Sequence, residues 1–395
     1  TNLLTDLLIS LLTKVLYAMK AKLVLTFFIA AFSSLSFFSL AEESDFVFHS
    51  DLAESWFEGG DYFEWTSTTK NNQQAKVNVF YRTFGSKDKP QLVMVHGFPN
   101  SSFDFYKLVP LLENDFHIAV LDFPGSGFSD KPVPNFSYML EENAEILDYF
   151  VREIVELDDF ALYTHDRGVS IGLAFLGHYL DTQPAEYRIN YHFLSNSGMF
   201  LPLANLMPMQ TALLDPVRGN ALIQARKSVP RMTQGNPEAL AYADIFKFND
   251  GDSALIHVAR YLLERAENEL RWLNNLSRSD IPVAYLWGLL DDINPVRISN
   301  HVWATYLNDR DAESTYWLLP TAGHYPQREK PNEVAQIIQL ALNSGIPSRA
   351  EEGAFMRAYG SRRKDEEAIF VGHSVIDALR FPSVIRYSPD GYSVQ

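Results

Sequence analysis

The chain has 395 residues, no cysteine and a formal net charge of −16. An acidic surface repels phosphate backbones, which argues against a nucleic-acid partner. The lack of cysteine removes disulfides, thiolate metal sites and a thiol nucleophile together. With 47% apolar residues, the chain can fill the core of one large domain carrying an insertion, or of two domains.

The N-terminal region reads as an address and not as part of the fold. Met19-Lys20-Ala21-Lys22 is a short basic start, Leu23–Leu40 is apolar, and Ser39 and Ala41 are small residues placed for a cut before Glu42 and Glu43. The pattern predicts a signal peptide over 19–41 and a secreted or periplasmic mature protein without stable membrane insertion. An uncleaved N-terminal anchor is the alternative, because the stretch approaches bilayer-spanning length. Residues 1–18 precede Met19 and read as upstream read-through.

From residue 42 onward, short apolar runs alternate with helical patterns. Lys76–Phe84 alternates like a half-buried strand, and Gln91–His96 is a short apolar run. The latter leads into His96-Gly97-Phe98-Pro99, a loop where the Phe98 N–H is placed to help bind an oxyanion. His96 itself reads as a brace for that loop. His117–Leu121 is a further strand and Met139–Leu157 an amphipathic helix.

Phe160–Thr164 is the next strand, and the residues after it carry the chemistry. In Thr164-His165-Asp166-Arg167-Gly168 a strand runs out, an Asp appears, a Gly follows two positions later and an apolar helix over Gly168–Leu180 begins. This is the pattern of a nucleophile elbow, with the side chain on a strained turn, small residues around it and a helix N-terminus to favour negative charge. Gly168-Val169-Ser170-Ile171-Gly172 is a literal G-x-S-x-G, but Ser170 falls inside the helix, past the turn. Asp166 is therefore expected over Ser170 as the nucleophile. Taken by itself the segment reads better with Asp166 as a helix N-cap, and the acid and histidine further along the chain reverse that reading.

After a strand around His192–Leu194, residues 199–279 show helical patterns only, notably Glu238–Phe248 and Asp252–Leu276, and predict a helical cap inserted into the domain. His178 and His257 lie on helical patterns and read as structural. Val283–Trp287 is followed by Asp291 and Asp292; the spacing from Gly288 and Pro295 favours Asp291 as the acid. Thr315–Leu319 is followed by His324, on a loop at the sheet edge where catalytic groups of open α/β sheets gather. Asn332–Asn343 is the last helix, and 346–395 is an extension without a motif. Strand–helix alternation predicts a doubly wound, mostly parallel α/β sheet over 42–198 and 280–345. The order nucleophile, acid, histidine suits that fold. No metal site or cofactor is expected; the partners are a small-molecule substrate and water.

With these segments in view, the chain resembles the epoxide hydrolase and haloalkane dehalogenase branch of the α/β-hydrolases, and within it the mesoderm-specific transcript group. The likeness rests on HGFPNSSFDF (His96–Phe105), LDFPGSGFSDKP (Leu121–Pro132), YTHDRG (Tyr163–Gly168), WGLLDDINP (Trp287–Pro295) and GHYPQREKP (Gly323–Pro331), and spans about Phe63 to Ser344. It implies an alkyl-enzyme ester on Asp166, hydrolysed by water that His324 activates with Asp291 behind it. The oxyanion would be held by the N–H groups of Phe98 and Arg167.

The departures narrow the leaving group. Haloalkane dehalogenases place Asn and Trp where this chain has Phe98 and Arg167. Arg167 instead resembles the HDRG arginine of haloacetate dehalogenases, but their second arginine is replaced here by Ser170. For an epoxide, the cap must supply a tyrosine donor; Tyr261 and Tyr242 are the candidates. The resemblance thus favours an epoxide-hydrolase-like enzyme for a small, mostly apolar substrate. The alternatives are a haloacid or haloalkane dehalogenase, a serine esterase using Ser170, and a secreted binding protein that kept only the fold. Arg167 separates them: an unpaired side chain in the pocket implies an anionic substrate, and a structural ion pair favours the apolar one.

Overall fold

The computed structural model describes residues 46–133, 136–228 and 235–344, with short strands at 356–358, 385–388 and 391–394. The expected signal peptide, the upstream residues and most of the C-terminal extension lie outside the described residues. Of the two units into which the chain divides, Thr1–Val47 and Phe48–Gln395, the second carries every element described below.

The strands are β1 (Asp61–Thr66), β2 (Lys76–Phe84), β3 (Gln91–Val95), β4 (His117–Leu121), β5 (Asp159–His165), β6 (Arg188–Ser195), β7 (Val283–Gly288), β8 (Ser314–Leu319) and β9 (Met356–Ala358). They form one sheet in the order β1-β2-β4-β3-β5-β6-β7-β8-β9. β1 and β2 are antiparallel to their neighbours, and every pairing from β4 to β9 is parallel. All residues of β4 and β7 are buried, as fits a sheet covered by helices on both faces. β1 (DYFEWT) alternates only weakly and carries charges at an edge, which is why its pattern does not stand out in the sequence.

The expected helix over Met139–Leu157 is shorter: Leu140–Tyr149 is α-helical, Phe150–Ile154 widens into a π turn, and Glu156 turns the chain with φ 53°. Between β6 and β7 the described regular structure is helical, including Pro208–Leu213, Pro216–Ser228, Pro237–Lys247, Gly251–Val258 and Tyr261–Arg278. The stretch Asp252–Leu276, read as one helix, is thus two, broken at Ala259 and Arg260. Among the described residues, no helix is long and apolar enough to cross a membrane.

The long helix Tyr261–Arg278 is fastened to neighbouring helices near both of its ends. Asn275 Nδ2 donates to the Leu173 carbonyl at 3.0 Å, and Gly177 lies so close that a Cβ there would stand 2.6 Å from the same amide. Near the other end, Glu264 accepts the N–H groups of Leu140 and Glu141 at 2.6 and 3.1 Å. It thereby satisfies donors at the start of a core helix that have no intrahelical acceptor.

Candidate active site

The carboxyl ends of the parallel strands bring the candidate residues to one level. His165, the last residue of β5, pairs with Ser195, the last of β6, and Ser195 pairs with Leu286 of β7. Asp166 leaves β5 with φ 50° and ψ −118°, and the helix Arg167–Thr182 begins directly after it. Such a backbone is strained for a residue with a Cβ, and persists only where its surroundings over-determine it. Here the Asp166 N–H donates to the Asn196 carbonyl at 3.0 Å, and its carbonyl accepts the Ser197 hydroxyl at 2.6 Å. The turn also needs two glycines. A Cβ on Gly97 would stand 2.5 Å from the Asp166 Cβ, and one on Gly168 would stand 2.6 Å from the carbonyl oxygens of Val95 and His96.

Asp166, Asp291 and His324 come together. His324 Nε2 lies 3.5 Å from Asp166 Oδ2, and Nδ1 lies 2.9 Å from Asp291 Oδ2. Asp291 is fixed by three further donors: the N–H groups of Ile293 and Asn294 at 2.9 Å on Oδ1, and Asn196 Nδ2 at 2.8 Å on Oδ2. Asp292 is exposed and does not share this position. His165 Nε2 donates to the His324 carbonyl at 2.7 Å, fixing the histidine loop from below. All three triad side chains are buried.

Burial opposes charge on each member of the triad, but mutual attraction wins. It would lower the His324 pKa, yet the carboxylates of Asp166 and Asp291 hold it well above the ordinary imidazole range. It would raise both carboxylates, yet His324 holds them below theirs. The two carboxylates therefore favour the protonated form of His324, and His324 favours the charged form of both carboxylates. The Phe98 N–H donates to Asp166 Oδ1 at 2.8 Å. Arg167 is the first helical residue, so its N–H has no intrahelical acceptor. His96 accepts the Phe123 N–H at Nε2 (3.1 Å) and contacts the Gly97 carbonyl through Nδ1 (2.8 Å), the bracing geometry expected of it. Among the described residues, no group of three His, Asp or Glu side chains could hold a metal ion.

The side of the site that meets the helix Tyr261–Arg278 is built differently. Arg167 is fully buried, and its Nε, Nη1 and Nη2 have no hydrogen-bond partner among the described residues. Its guanidinium lies 5.8 Å from the centre of the Tyr261 ring. Tyr261 is buried, packs on Phe98 with ring centres 5.4 Å apart and accepts Gln210 Nε2 at 3.3 Å, which leaves its hydroxyl proton free to be donated. Burial and the nearby Asp166 carboxylate push that hydroxyl up to about 12, so it stays protonated. Tyr242, the other tyrosine candidate, is committed elsewhere: its hydroxyl donates to buried Asp104 at 2.6 Å. A cavity of about 460 Å³ is lined by Tyr261 and Glu264 together with Asn72, Phe136 and His257. His178 makes a contact of 3.1 Å with Glu141, a cap–core anchor residue.

Ser170 is buried within the helix, and its hydroxyl accepts Arg265 Nε at 2.9 Å. Arg265, Gln210 and Asn196 are the contributors that sequence reasoning missed. Asn196 carries a weak signal, a polar residue directly after a strand at the carboxyl edge. Arg265 and Gln210 carry none, because only the folded cap brings them to the elbow.

Residues 90–218 match the family model for the alpha/beta hydrolase fold. The chain is 30% identical over 297 residues to the Mycobacterium tuberculosis protein named "Putative hydrolase LipZ", covering 73% of this chain and 96% of that one. It is 29% identical over 301 residues to the mesoderm-specific transcript protein of Mus musculus, covering 71% and 85%. Among solved structures, a loop variant of the haloalkane dehalogenase DbeA from Bradyrhizobium elkanii superposes with a TM-score of 0.54 at 17% identity, over 71% of this chain and 95% of that one. That last likeness speaks to the fold alone. The sheet order, the site at the carboxyl edge and these relatives lead to one conclusion: the chain is an enzyme of the α/β-hydrolase family.

Proposed function

We propose that the chain hydrolyses its substrate in two steps through an ester on Asp166. The observation that carries this reading is the position of Asp166 on the strained turn, with one carboxylate oxygen 3.5 Å from His324 and the other 2.8 Å from the Phe98 N–H. Ser170, by contrast, has its hydroxyl engaged by Arg265 and is not brought to the turn. In the first step Asp166 Oδ2 attacks an electrophilic carbon, whose bond to the leaving atom breaks. Tyr261 favours oxygen as that atom, because its proton is free for a developing alkoxide; opening an epoxide fits this best.

Esterification removes the Asp166 charge. His324 then keeps one carboxylate partner instead of two, its pKa falls, and its proton can replace the one that Tyr261 gave. Neutral His324 takes a proton from water, and the hydroxide adds to the ester carbon. The oxyanion on Oδ1 is held by the N–H groups of Phe98 and Arg167, an arrangement in which one donor typically contributes about 10²–10³ in rate. Collapse expels the alcohol, restores the carboxylate and leaves the proton on His324. For an epoxide, the sum is addition of one water to give a diol.

The test compares Asp166→Ala with Ser170→Ala on styrene oxide and on an activated ester. Loss of styrene oxide turnover by about 10⁴-fold in the first variant, with the second retaining turnover, is expected. An Asp166→Ala enzyme that remains active while Ser170→Ala is dead would replace this reading with a serine esterase.

A further inference from the structure

The loop that carries His324 ends in a helix of only four residues, Pro326–Glu329. So short a helix has no stability of its own and takes its place from its contacts. Pro326 and Gln327 are buried. Glu329 ties the helix to the loop, accepting the N–H groups of Gly323 and Tyr325 at 2.6 and 3.0 Å. Arg328 reaches a different element. Its Nε lies 3.4 Å from Glu238 Oε1, in the first turn of the helix Pro237–Lys247. Lys107 holds the other oxygen of Glu238 at 2.8 Å, so that carboxylate is itself fixed. The Arg328 guanidinium carbon lies 4.2 Å from the centre of the Tyr325 ring and 5.0 Å from that of Tyr242.

Two further contacts bring this arginine to bear on the site. The Tyr325 ring stands edge-on to His324, with centres 4.6 Å apart and planes at 81°. Asp104, fully buried on the turn Ser102–Phe105, accepts the Tyr242 hydroxyl at 2.6 Å, and its Oδ1 lies 3.8 Å from Arg328 Nη1. Burial pushes the Asp104 carboxyl up to about 6, and the Tyr242 hydroxyl, Arg328 and Asn100 work against it. The Arg328 side chain is 23% exposed, so solvent screens its charge less than that of an ordinary surface pair. A planar cation set against two rings and two carboxylates is held in one orientation. The line of contacts runs from the helix Pro237–Lys247 through Arg328 and Tyr325 to His324.

We propose that Arg328 is a positioning residue for His324, locking the helix Pro326–Glu329, and with it the histidine loop, to the helix Pro237–Lys247. It touches no reacting atom and bears on the imidazole through the Tyr325 ring. His165 fixes the His324 carbonyl and Asp291 fixes Nδ1; Tyr325 supplies a third restraint, on the ring itself. The imidazole must stay within reach of Asp166 Oδ2, at 3.5 Å, and of the water that it deprotonates. A displacement of about 1 Å at such a group costs about 10² in rate. The proposal rests on the Asp166 mechanism only for which step is slowed.

The test follows His324 itself, so that failure of the positioning role and failure of the Asp166 mechanism remain distinguishable. The full chain, labelled with carbon-13 in its histidines, is titrated by NMR and assayed with styrene oxide before the steady state. In Arg328→Gln the proton affinity of His324 should fall about tenfold, as its contacts with the two carboxylates loosen. Breakdown of the ester should slow by about 10- to 10²-fold while the burst keeps its rate. Arg328→Lys should recover part of both effects, because an ammonium keeps the charge but not the flat stack on the rings. Glu238→Gln, which removes the anchor on the other helix, should move both readouts the same way by less. Removing a positive charge without moving the imidazole would raise the His324 proton affinity, and a merely structural arginine would lower the melting temperature and leave the titration in place. An unmoved or upward His324 titration in folded Arg328→Gln overturns the proposal; if that variant does not fold, an unmoved titration in Glu238→Gln does so. Absence of a burst in the unsubstituted chain would remove the Asp166 mechanism, and the NMR comparison would still decide the role of Arg328.

Discussion

At the sheet edge, Asp291 holds four contacts through its two oxygens, from Ile293, Asn294, Asn196 and His324, and Asp166 is held by its own backbone on both sides. Across the site, beside the helix Tyr261–Arg278, the Arg167 side chain holds none among the described residues and Arg265 leaves Nη2 without a partner. The first half has its described hydrogen bonds in place, the arrangement that the proposed mechanism requires of a preorganised charge array. The second leaves buried donors unbonded among the described residues. On the proposed function, the chemistry falls to the satisfied half of the site, and these guanidinium groups take no part in it.

Substitutions can test this division. The largest effect after Asp166→Ala should come from Asp291→Asn. The exchange leaves the shape intact but removes the charge that orients and supports His324, and should slow the second step by about 10³–10⁴-fold. Pre-steady-state kinetics should show a burst of one equivalent followed by slow release; loss of the burst as well would place Asp291 in the first step and blur the two halves.

Tyr261→Phe should slow ring opening by about 10²-fold, whereas Tyr242→Phe should change kcat by no more than about twofold. The Tyr242 substitution should instead lower the melting temperature, because it removes the closest of the hydrogen bonds to buried Asp104. Such a loss destabilises by about 1–3 kcal/mol. Equal kinetic effects of the two substitutions would show that the structure has separated the tyrosines wrongly.

The smallest effect concerns pH. The folded pKa of His324 is raised, so its contribution to stability is full below the unfolded imidazole value and fades as pH rises through the folded one. That of Asp166 is lowered, so its contribution is full above the unfolded carboxylate value and fades as pH falls. Stability from the pair should therefore peak in the window between. Asp166→Asn should shift the His324 titration, followed by NMR, downward; an unmoved titration would mean that the two charges are not coupled.

The satisfied half was largely legible in the chain. A strand followed by His165-Asp166-Arg167-Gly168, and the later loops at Asp291 and His324, announce themselves because each element is short, local and bounded by glycine or proline. The physical basis is the crowding of the turn, which demands Gly97 and Gly168 at fixed places. The unsatisfied half was not legible. Arg265 lies 95 residues beyond Ser170, and its helix reads as an ordinary amphipathic one. Tyr261 could be named as a candidate beside Tyr242, but only the fold shows that Asp104 takes the Tyr242 hydroxyl. The break at Ala259 and Arg260 likewise escaped periodicity, since both sides continue in helical pattern.

The central claim is that water reaches the product by way of the Asp166 carboxylate. A single turnover in water labelled with oxygen-18, with enzyme in excess over styrene oxide, tests it directly. The peptide containing Asp166 should gain the label while the first product carries unlabelled oxygen from the protein. Label found at once in the product, with the Asp166 peptide unlabelled, would contradict it.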